Sequence, residues 1–95
     1  MPETRFHIQW PDGQHSFCYS PSSVIRHYFE PGQEYSVEEF VAKSRDALQS
    51  ASDRVQAKYG YPCGLALGQL QDIEKLAQQF IDQAQARVKM VQFLD

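Results

Sequence analysis

Apolar and polar residues alternate from Thr4 to Trp10, with Phe6, Ile8 and Trp10 on one side and Arg5, His7 and Gln9 on the other. That period of two is the mark of a half-buried strand. Pro11-Asp12-Gly13-Gln14 then turns the chain, and Asp-Gly is a favoured central pair for a two-residue hairpin because Gly accepts positive φ freely. With Asp12 and Gly13 as the two loop residues, Trp10 pairs with His15, Ile8 with Phe17 and Phe6 with Tyr19, and His7 faces Cys18 on the other side of the ribbon.

Further along, Ser20 with Pro21 behind it predicts a helix start, the hydroxyl as cap and the proline where its missing N–H is harmless. A short helix through Val24, Ile25 and Tyr28 ends near Glu30, ahead of Pro31-Gly32, and Glu30 to Tyr35 reads as a surface loop. Ser36 followed by Glu39 forms a capping box. Beyond it Val37, Phe40, Val41, Ser44, Leu48, Ala51, Val55 and Tyr59 recur at helical spacing up to Gly60. Glu39 and Lys43 stand four apart in the stabilising order.

After the joint Tyr61-Pro62-Cys63-Gly64, a second helical stripe runs from about Leu65 through Leu67, Leu70, Ile73, Leu76, Ala77, Phe80, Ile81 and Ala84, antiparallel to the first helix. Gly68 interrupts it, which suggests close packing there. Arg87 to Leu94 is rich in β-formers and predicts a third strand beside the hairpin. The expected fold is α+β, a single domain over 1–95: a three-stranded antiparallel sheet, made of the N-terminal hairpin and the C-terminal strand, covered on one face by two long helices, with one short extra helix. Its open edges invite a homodimer.

Composition narrows the function more by exclusion than by suggestion. With 95 residues the chain has room for one core. Nine basic against twelve acidic residues, net charge −3, form no basic patch, so nucleic acid is not the expected partner. No apolar run approaches the roughly 18 residues of a membrane span and no signal region follows the N-terminus, so a cytoplasmic protein is expected. Cys18 and Cys63 have neither the spacing nor the compartment of a disulfide and read as free thiols.

Candidate chemistry is sparse. His7 opposite Cys18 supplies two soft ligands, half of what a structural zinc needs. Cys63 precedes a helix N-terminus, where free N–H groups favour a thiolate, so a small cysteine-dependent enzyme or a ligand or metal carrier using Cys63 with His7 or His15 is the alternative to a binding protein. Tyr28, Phe29 and Tyr35 around the Pro31-Gly32 loop form a candidate interface, and Arg45 on the long helix a candidate contact for a carboxylate. Gly60, Gly64 and Gly68 lack the lysine of a phosphate loop, and the carboxylates are spread over polar surfaces. No cofactor is implied.

The segments Trp10-Pro11-Asp12-Gly13, Cys18-Tyr19-Ser20-Pro21-Ser22, Phe29-Glu30-Pro31-Gly32, Lys58-Tyr59-Gly60-Tyr61-Pro62-Cys63 and Leu65-Ala66-Leu67-Gly68-Gln69-Leu70 resemble the small nitrogen-starvation-response proteins of bacteria and cyanobacteria, over about Met1 to Phe93. The resemblance implies a place in a nitrilase gene cluster beside a radical-SAM protein, an acetyltransferase, an AIR-synthase-like protein and a flavoprotein. It also implies a role in using nitriles or cyanide when nitrogen is scarce. It implies no catalytic residues, and points to an accessory protein working through contacts with other products of that cluster.

Overall fold

The structure is a computed structural model that describes residues 3–94; Met1, Pro2 and Asp95, the ends of the expected 1–95 domain, lie outside the described residues. Strands β1 (Thr4–Gln9), β2 (His15–Ser20), β3 (Glu34–Ser36) and β4 (Arg87–Leu94) form one sheet in the order β2-β1-β4-β3, every pair antiparallel. Helices α1 (Val37–Tyr59) and α2 (Gly64–Ala77) pack on one face of it. The α+β architecture is as expected, with four strands rather than three. The added strand, β3, lies in what the sequence presented as a loop. Three residues carry no readable period, and Tyr35 finds its place only by pairing with Val88.

The hairpin differs from the expected one by a single residue. Trp10 N–H donates to the Gln14 carbonyl at 2.7 Å, so the loop holds Pro11, Asp12 and Gly13, with Gly13 at φ 92°. Pro11 suits the first central position of a type I turn, and the following glycine takes the left-handed conformation that closes a three-residue loop. The register becomes Phe6 with Cys18, His7 with Phe17, and Ile8 with Ser16. A one-residue slip turns a strand over. Cys18 therefore enters the core at 3% exposure, while Phe17 stands on the outer face at 68%.

Trp10, Phe40, Phe29 and Phe80 form the aromatic centre of the core, filled out by Phe6, Ile8, Ile25, Leu48, Ile73, Val88 and Met90. A bulge between His7 and Ile8, where Met90 rather than Val91 pairs with Ile8, keeps both Met90 and Val88 inward. Helix α1 is capped as expected: the Ser36 hydroxyl accepts from Glu39 N–H at 3.1 Å, Gly60 ends it at φ 87°, and Lys43 lies 3.7 Å from Glu39. The short helix is a 3-10 turn at Ser23–His27 capped by Ser22, not by Ser20, whose hydroxyl instead bonds the Ser22 backbone.

Helix α2 gives way to a 3-10 turn at Gln78–Phe80, which leaves Ile81 41% exposed and puts Ala84 beyond the helix. Gly68 is not a close-packing position, because a β-carbon there would meet nothing within 4 Å. Gly68→Ala is therefore expected to stabilise the protein by about 1 kcal/mol, through helix propensity and a less free unfolded chain. Thermal unfolding followed by circular dichroism checks this, and a lower midpoint for the variant would contradict the open space around α2.

Candidate functional site

Helix α1, with 23 residues at about 1.5 Å each, outruns strands of six to eight residues, and its C-terminal end projects past the core. Tyr59 lies on that overhang. Gly60 reverses the chain, and the joint returns through Tyr61 and Pro62 to Cys63, whose N–H donates to the buried Ser52 hydroxyl at 3.0 Å. The joint is thus pinned to α1 while its side chains point out. Tyr59, Tyr61 and Leu65 are 54%, 64% and 70% exposed, and with Val55, Pro62 and Cys63 they line an open cleft of about 420 Å³.

Cys63 is the N-cap of α2, its carbonyl taking the Leu67 N–H at 3.2 Å, and its side chain makes no cap hydrogen bond. Cys63 is half-buried and lines the cleft. Tyr19 also lines the cleft. Its phenol is pushed up, first by burial, then by the neighbouring Glu3 and Cys63 side chains, against an opposing effect of Arg5. No histidine lines this cleft: His7 and His15 are on the outer face of the sheet, so neither is brought to Cys63.

The register shift separates His7 from Cys18. His7 points outward, stacked on Phe17 with centroids 4.4 Å apart and its Nε2 2.6 Å from His15 Nδ1, whereas Cys18 points inward. His15, expected beside Trp10, instead joins His7. Burial raises the Cys18 thiol to about 12, with the Asp72 carboxylate adding to the effect, so the group stays protonated and inert at neutral pH. Among the described residues no group of three or more His, Cys, Asp or Glu side chains is placed to hold a metal ion.

The loop aromatics are largely consumed by the fold. Phe29 is a core residue, the Tyr35 ring meets it edge-on at 5.1 Å, and the Tyr35 hydroxyl accepts from Glu30 N–H at 2.9 Å. Lys43 spans the cluster, donating to the Tyr28 carbonyl at 3.3 Å with its ammonium 5.2 Å from the Tyr35 ring. Arg45 is paired to Glu74 at 2.7 Å and ties α1 to α2. The exposed group that sequence reasoning passed over is Tyr59, Tyr61 and Leu65. Helical period placed Tyr59 on the inward stripe of the first helix and used Leu65 only as the approximate start of the second, and only the length of α1 relative to the strands signalled that they emerge.

Fold and site together define a small two-layer α+β protein with an exposed aromatic cleft at the joint between its two helices. The family of the nitrogen starvation-induced protein NitG matches residues 5–93, and the chain belongs to that family. No curated protein and no solved structure matches it. Among the described residues no helix is long and apolar enough to cross a membrane.

Proposed function

We propose that this NitG-family chain is a cytoplasmic accessory protein of a nitrogen-starvation pathway, one that uses nitriles or cyanide, and that it acts by binding another product of the nitrilase gene cluster. The observation that carries this reading is the exposed trio Tyr59, Tyr61 and Leu65 around the joint. Tyrosine offers large contact area at low entropic cost, and interface hot spots are rich in it. The trio rests on a backbone fixed by the Ser52 contact and by the Gly60 cap, so little order is lost on binding.

Tagged protein from nitrogen-starved cells is expected to bring down the nitrilase, the radical-SAM protein or another product of that cluster. Tyr61→Ser with Leu65→Ser is expected to reduce that capture by about tenfold or more. Wild-type protein that captured none of these products, or capture untouched by the double substitution, would count against the proposal.

A further inference from the structure

Of the two edges of the sheet, β3 is three residues long, whereas β2 runs for six, His-Ser-Phe-Cys-Tyr-Ser, without a lysine, a carboxylate or a proline to deter pairing. Tyr19 N–H donates away from β1, to Gln69 Oε1 at 3.1 Å. By the alternation of an antiparallel ladder, the N–H and C=O of Phe17 and His15 face the same open side. Gln69 occupies one end of this edge, and among the described residues nothing pairs with the Phe17 N–H and C=O. The Phe17 ring beside them is 68% exposed.

Helix α2 runs alongside the edge and borders, with β2, a groove of about 430 Å³ floored by Trp10, Cys18 and Ile73. Its numbering rises as that of β2 falls: Gln69 meets Tyr19, and Asp72 acts on Cys18. Two strand residues from Tyr19 to Phe17 cover about 6.6 Å, or about 4.4 helix residues, so the point of α2 level with Phe17 lies midway between Asp72 and Lys75. Both side chains line the groove and are exposed.

We propose that two copies of this chain associate through their β2 edges, antiparallel about a twofold axis at Phe17, joining the two four-stranded sheets into one. The symmetry is what selects a second copy as the occupant. A twofold at Phe17 sets Asp72 opposite Lys75 of the partner subunit, and does so twice, so the opposite charges on the rim are complementary to themselves. The two Phe17 backbones exchange hydrogen bonds, and the two rings cover each other on the outer face. Gln69, on Tyr19, confines the seam to a short stretch, so the association is reversible.

This interface does not depend on the cleft at the α1–α2 joint, and Tyr61→Ser is expected to leave self-association unchanged, so the two ideas fail separately. Sedimentation of the full chain from about 10 µM to about 1 mM should show a monomer–dimer equilibrium. Asp72→Lys and Lys75→Asp should each raise the dissociation constant roughly three- to thirtyfold, since each replaces two attractions with two repulsions. The double substitution Asp72→Lys with Lys75→Asp should return it close to wild type. Phe17→Pro removes an outward N–H that β1 does not use, and should abolish the dimer. If that variant does not fold, the charge variants on exposed helix positions still decide the matter. A monomer throughout the range, a dimer indifferent to the single substitutions, or a double substitution that fails to restore association would each overturn the proposal.

Discussion

Replacing Trp10 with alanine is expected to destabilise the protein by about 3–5 kcal/mol, a large share of what a domain of this size possesses. Trp10 is 3% exposed, lies edge-on to Phe40 at 5.7 Å, stacks on Phe80 at 6.0 Å, and donates its indole N–H to the Ser16 hydroxyl at 2.8 Å. It therefore joins the hairpin to α1 and to the turn after α2 through one side chain. Alanine leaves a cavity bounded by three different elements, which cannot all collapse together. Trp10→Phe keeps the aromatic contacts and loses the hydrogen bond, so its cost should be nearer 1–2 kcal/mol, about what one such bond contributes. Because Trp10 is the only tryptophan, urea unfolding must be followed by circular dichroism rather than by its fluorescence. Equal losses for the two variants would mean that the aromatic packing contributes little.

The elements that could be read directly were those whose signal is local. Ser36, Glu39 and Gly60 mark the two ends of α1 by chemistry that acts within a few residues, and the structure has the cap bond and the left-handed glycine at those positions. The hairpin was legible as a hairpin but not in its register. Asp12-Gly13 pointed to a two-residue loop, while Pro11 before it favours a three-residue one, and one residue decides whether Cys18 or Phe17 is buried. Strand β3 was not legible, since it exists only because β4 offers it a partner.

The candidate site depended on that same residue. With the two-residue loop, His7 and Cys18 face each other and suggest a metal; with the loop as it stands they are on opposite faces, and the outer face gains the His7, His15 and Phe17 group instead. The exposed joint was hidden for another reason. Helical period tells which side of α1 faces inward, but not how far along the helix the sheet extends beneath it, so Tyr59 shares the phase of Phe40 and Leu48 and yet is exposed.

The buried Cys18 makes alkaline conditions the second large effect. Its thiol titrates at 9.0 when free and at about 12 in the folded protein, chiefly because burial disfavours the thiolate. Below pH 9 both states hold the proton and the full stability is present. Between pH 9 and pH 12 only the unfolded chain releases it, so stability falls with rising pH, by about 1.4 kcal/mol per unit from this group and about 4 kcal/mol across the interval. Tyr19, also raised by burial, acts in the same direction. Cys18→Ala separates the thiol from every other group that titrates in this range. At pH 8 the variant should be less stable than wild type, for want of the buried sulfur. By pH 10.5 the two urea-unfolding curves should have converged by about 2 kcal/mol. A difference that stayed constant from pH 8 to pH 10.5 would show that Cys18 reaches solvent as the thiolate, and with that the register placing it under α2 would have to be abandoned.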